Sequence, residues 1–184
     1  KTWMDRNLGA SQVATSSTDA ESYGDLFQWG RAADGHQCRN SGTTTTLSTT
    51  NAPGHGEFII IDAAPNDWLN PQNDSLWQGL SGRNNPCPSG YRLPRNAEWA
   101  AEIATWGGHP RTGTALASVL ILPTSGIRNR HNGTIGGGHG TYWSSTLEGL
   151  GVRITAFASS WGNVGYGYGS WQRADALSVR CIQD

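Results

Sequence analysis

Lysine is all but missing from this 184-residue chain: of its 13 basic residues only Lys1 is a lysine, and the rest are arginine. Charge of either sign is scarce, at 15% of residues with a net of −1. That excludes the clustered basic footprint a nucleic-acid partner requires. No apolar run approaches the ~20 residues of a membrane span, so membrane insertion is not expected. Three cysteines without a C-x-x-C spacing argue against a thiolate metal site and leave room for one disulfide. There is no H-E-x-x-H, no G-x-S-x-G elbow, no complete G-x-G-x-x-G and no G-K-[ST]. Familiar hydrolytic and phosphate-cradling chemistry therefore has no signature here.

Glycine and tryptophan stand in excess, at 25 and 9 residues. Such a composition favours loops over regular elements, with rigid rings supplying much of the buried area. The length suits one domain over 1–184, large enough for a real core. No signal peptide is visible and the chain begins without Met, which reads as a monomeric module cut from a longer protein.

The segment Cys87-Pro88-Ser89-Gly90-Tyr91-Arg92-Leu93-Pro94 organises the rest. Pro88 and Gly90 force a turn, Tyr91 to Leu93 is extended, and Pro94 ends that strand. Asn96 is the expected N-cap of a helix running to Ala104, with Glu98 in its first turn. Leu177 to Cys181 alternates as a closing strand. Cys87 and Cys181 are read as one disulfide tying that strand to the turn before the helix, which implies an oxidising, extracellular or cell-surface setting. Cys38 is then expected as a buried, inert thiol. Elsewhere, Thr2 to Leu8, Phe58 to Ile61, Thr141 to Thr146 and Val152 to Ala158 read as extended. Ser22 to Arg31 reads as a first helix, and Leu116 to Leu122 as a helix or a strand. Residues 40–56 form a polar insertion, either disordered or folded onto the domain.

Two groups of residues carry candidate chemistry. Asp62, Asp67, Asn73 and Asp74, with Asp175 downstream, offer the oxygen ligands calcium prefers. The same residue types also build Asx turns, and both readings stand. Two glycine-rich loops, 132–140 and 161–171, flank successive strands and let a ligand approach the backbone. Around them lie the rings of Tyr142, Trp161, Tyr166, Tyr168 and Trp171, the polar groups of Asn129, His131, Asn132 and Asn163, and the guanidinium groups of Arg128, Arg130 and Arg173. Rings stack on sugars or peptide groups at little entropic cost, and arginine meets a carboxylate in bidentate fashion. Trp143 is assigned to the core. Tyr166 and Tyr168, alternating with glycine, are expected at the surface.

The segment C-P-x-G-Y-R-L-P-x-x-A-E-W resembles one shared by two groups with the C-type lectin-like fold: the formylglycine-generating (sulfatase-modifying) group and the Fibrobacter succinogenes major paralogous domain, FISUMP. The likeness to the second extends to Thr2–Ala10, Tyr23–Arg31, Ser125–Arg130, Tyr142–Thr146 and Ser178–Cys181, in order along the chain. It implies an α+β, C-type lectin-like fold of two helices with short antiparallel strands, abundant loops, and first and last strands paired. It further implies a non-catalytic module of a bacterial surface or secreted adhesin, binding a peptide terminus or a glycan on another cell with calcium assistance. A second implication is a hypervariable receptor of a diversity-generating retroelement, diversified over residues 159–175. A third, an oxidase of the formylglycine type, lacks the cysteine pair such enzymes use.

Overall fold

The computed structural model describes residues 1–107, 112–149, 151–158 and 170–184. These residues form an α+β arrangement of short elements. A 3-10 turn at Ala20–Ser22 precedes β1 (Phe27–Gln28), β2 (Thr43–Thr44), β3 (Phe58–Ile59) and β4 (Tyr91–Arg92). Helices α1 (Asn96–Ala104) and α2 (Thr112–Ala117) follow. Then come β5 (Ile127–Arg128), β6 (Ile135–Gly136), β7 (His139–Glu148), β8 (Gly151–Ala158), β9 (Ser170–Trp171), β10 (Ala176–Leu177) and β11 (Ile182–Gln183). One antiparallel sheet runs β1-β10-β5-β6, a second runs β7-β8-β9, and β11 pairs with β4.

With so few ladder hydrogen bonds, indole side chains take over as cross-links. Trp29, Trp68, Trp77, Trp99 and Trp143 are all buried. Each donates its ring N–H to a backbone carbonyl: Trp29 to Ser144, Trp68 to Trp29, Trp77 to Asn84, Trp99 to Trp143 and Trp143 to Phe27. A buried indole thus supplies apolar area and satisfies an otherwise stranded carbonyl in one residue.

The two ends of the chain meet, as expected. Trp3 bridges Ile182, and the Met4 N–H donates to Cys181 O at 3.0 Å. Cys87 and Cys181 form a disulfide with Cα atoms 5.9 Å apart. Beside it, both Nη atoms of Arg92 bond the Glu98 carboxylate at 2.8 Å, and its Nε bonds Asp184 at 2.7 Å. These contacts, the hydrogen bonds from Arg92 foremost, hold the Glu98 carboxyl down to about 2 and raise the guanidinium.

Several expectations are corrected. Ser22 to Arg31 is no helix: Gly24 and Gly30 both take positive φ (65° and 84°), and Phe27 to Gln28 is a strand paired with Leu177 and Ala176. Helix α1 starts one residue earlier than its expected cap implies. Arg95 is the N-cap, its N–H bonded to the Glu98 carboxylate, while the Asn96 N–H donates to Thr146 Oγ1 on β7. Of the two readings of residues 40–56, the folded one holds: β2 pairs in parallel with β3, and Ser48 bridges Leu69. Leu177 to Cys181 is buried on both faces, so its alternation marks no solvent side. Cys38 is an exposed free thiol.

Candidate functional site

An open cleft of about 400 Å³ lies where three stretches converge. Asp74, Ser75 and Gln78 form one wall, Arg95 stands at the start of α1, and Ser145, Thr146 and Leu147 come from the outer part of β7. The β7–β8 register breaks between Trp143 and Leu147, so this part of β7 is not laddered to β8 in step. Other groups pair with it instead. The Gln78 amide donates to Ser145 O at 2.8 Å, and Ser145 N–H donates to Pro94 O at 2.9 Å. Thr146 Oγ1 accepts from the first turn of α1. The lining is mixed: one exposed guanidinium, one exposed carboxylate, hydroxyls, an amide and one leucine. A smaller groove of about 260 Å³ lies beside α2, and its described lining residues, Thr105, Trp106, Thr114, Ala117, Ser118 and Val119, include no ionisable group.

Behind Asp74 is Arg173. Its guanidinium is buried, packs on the Trp29 ring at 4.9 Å, and bonds Asp74 Oδ1 through Nη2 at 2.5 Å. Asp67, buried, lies 3.9 Å from Nη1. Burial raises the Asp67 carboxyl to about 6, with the arginine and its hydrogen bonds opposing.

The expected site residues do not gather in one place. Arg128 is used internally: Nε donates to Gly133 O, Nη1 to Ser41 Oγ and Nη2 to Ser41 O, over the Phe58 ring at 4.4 Å. The first glycine-rich loop packs there too, since a Cβ on Gly133 would press on Thr43. Loop and arginine therefore anchor the 40–56 insertion. Tyr142, expected at a ligand surface, is fully buried, its hydroxyl donating to Pro123 O at 3.0 Å; burial pushes it up to about 12. Trp171 packs half-buried against the main core. Asn129 and Asn132 accept from the N–H two residues on, at His131 and Thr134. Trp161, Asn163, Tyr166 and Tyr168 lie outside the described residues.

The residues expected to hold calcium are dispersed in the same way. Asp62 pairs with His131, Asp175 with Arg130, and Asp67 and Asp74 with Arg173. Asn73 accepts from Ser75 N–H and donates to Asn51, an Asx turn of the kind weighed against calcium. A dication placed at any of these carboxylates would face a guanidinium or imidazole group, so the arrangement does not fit a shared calcium site. Among the described residues no three His, Cys, Asp or Glu side chains group around a metal position.

The cleft residues had no local signal in the sequence. Gln78 and Ser75 lie in a loop, Arg95 reads as a helix flank, and Ser145 reads only as core strand. No helix among the described residues is long and apolar enough to cross a membrane. No family model, curated protein or solved structure matches this chain.

Proposed function

We propose that this is a non-catalytic ligand-binding domain with a C-type lectin-like fold. Within that class it is a module of a bacterial surface or secreted adhesin that recognises a peptide terminus or a glycan. The observation that carries the reading is the cleft at residues 74–78, 95 and 145–147, open and mixed in polarity on a scaffold cross-tied by a disulfide and buried indoles. The ordered blocks that resemble FISUMP, the paired chain ends and the disulfide all agree with it. The bridge supports placing the module in an extracellular setting. An oxidase of the formylglycine type needs a reactive cysteine pair, whereas Cys87 and Cys181 are joined and Cys38 is the remaining thiol. The hypervariable-receptor reading rests on 159–175, of which 159–169 fall outside the described residues. Calcium has no part in the proposal, because its expected ligands are dispersed among separate partners and three of the four carboxylates pair with arginine.

Glycan and peptide arrays, probed with and without chelator, test this reading. Binding is expected to survive chelator. Arg95→Glu reverses the one exposed cation among the cleft's described residues and should weaken binding about tenfold, with the melting temperature unchanged. Silence on both arrays, or full binding by Arg95→Glu, would remove the cleft as the site.

A further inference from the structure

Arg173 is an anomaly among the buried arginines. A guanidinium carries five N–H donors and cannot shed its charge. Arg31 and Arg180 place theirs on carbonyls, amides or a carboxylate from several directions. In Arg173, Nη2 bonds Asp74, whereas Nε and Nη1 are buried without a hydrogen-bond partner. A stranded donor of this kind is costly in a folded protein. Its one hydrogen-bonding carboxylate, Asp74, has a side chain 69% exposed and lines the cleft. Asp67 sits near Nη1 but beyond hydrogen-bond reach, at 3.9 Å.

We propose that Arg173 is the recognition site for a carboxylate on the ligand, and that Asp74 is its stand-in, displaced when the ligand enters the cleft. Asp74 is tethered to its own backbone and reaches Nη2 with one oxygen. A free carboxylate has no such constraint: it can lie in the guanidinium plane and take the parallel N–H groups of Nη2 and Nε together. That pairing satisfies a donor Asp74 leaves unmet. Trp29 stacked on the face fixes the plane, and because Nε is buried the ligand reaches that edge only once Asp74 has swung out. The displaced Asp74 carboxylate returns to water at little cost, because it is already mostly solvated. Asp67, raised to about 6 by burial, loses its negative charge below that pH, so that less anionic charge competes at the guanidinium.

This inference rests on the cleft being the binding site, and its test does not need the natural ligand. The Arg173 Nε–H resonance is followed by NMR in the wild type, Asp74→Ala and Asp74→Asn while sodium acetate is added, with acetamide and sodium chloride as controls. Saturable movement is expected with acetate alone, at a concentration at least about tenfold lower in both variants than in the wild type. Asp74→Asn guards against a folding defect in the alanine variant. An Arg173 resonance unmoved by acetate in both variants, or equal affinity in all three proteins, overturns the proposal. Array ligands retested as free acid and amide complete the comparison. Equal binding of the two forms would refute the carboxylate while leaving the cleft intact, whereas silence on the arrays counts against the cleft alone.

Discussion

Arg180 and Arg173 lie seven residues apart near the end of the chain, both buried, and they are treated in opposite ways. Arg180 bonds Asn7 Oδ1 through Nε and Nη2, and Met4 O and Leu120 O through Nη1. It thereby joins the first residues, the closing strand and the turn after α2. Burial still lowers its guanidinium to about 10, so four hydrogen bonds to three neutral acceptors do not fully replace water. Arg173 has a carboxylate but strands two nitrogens. One region is saturated and closed, the other under-satisfied beside an open cleft. Completeness of hydrogen bonding, more than burial, separates scaffold from candidate site.

The largest effect should come from the saturated side. Arg180→Met strands the acceptors on Asn7, Met4 and Leu120, and should cost ~4 kcal/mol by urea unfolding. A loss below ~1 kcal/mol would mean that this network adds little and that the contrast is false.

A second measurement sharpens the difference by pH. His36 is fully buried, and desolvation lowers it to about 4 despite its Asp34 partner. Its contribution is complete above the unfolded value near 6.5 and is lost as pH falls through 4. Asp67 runs the other way: raised to about 6, its contribution is present below the unfolded value and lost as pH rises through 6. Between about 4 and 6 the two oppose. Asp67→Asn removes one of them, so stability should then climb with pH over that window by on the order of 2 kcal/mol more than in the wild type. Parallel stability–pH curves for the two proteins would show that Asp67 is not the group responsible.

The smallest effect belongs to Arg173→Met. The thioether keeps the packing on Trp29, Asp67 can take up a proton, and the stranded donors vanish, for a net change below ~1 kcal/mol. A loss equal to that of Arg180→Met would erase the distinction between the two arginines.

Much of the scaffold was legible in the residues. The turn at Cys87-Pro88-Ser89-Gly90, the strands around Trp143 and Val152 and the disulfide follow from turn chemistry, periodicity and cysteine placement, and the meeting of the two ends was implied by the family resemblance. Ser22 to Arg31 misled because its spaced apolar residues mimic a helix, whereas Gly24 and Gly30 turn the backbone out of one. Tyr142 and Arg128 misled because ring and guanidinium chemistry reads the same in a core as on a surface. What decides is the acceptor at the other end, Pro123 O for one and Ser41 for the other, remote in sequence. The cleft was illegible for the same reason, since residues 74–78, 95 and 145–147 become neighbours only in the fold.

The pairing of Trp3 with Ile182 and the bridge at Cys181 also decide how the chain would carry a pull between residues 1 and 184. Tension would peel the terminal hydrogen bonds one at a time, starting at Gln183 and Thr2. At Cys181 the load crosses through sulfur to Cys87, and everything between the two cysteines is relieved of it. Asp74 and Trp29 both lie on the loaded stretch and Arg173 on the sheltered one, so traction would part the guanidinium from its aspartate and from its indole seat alike.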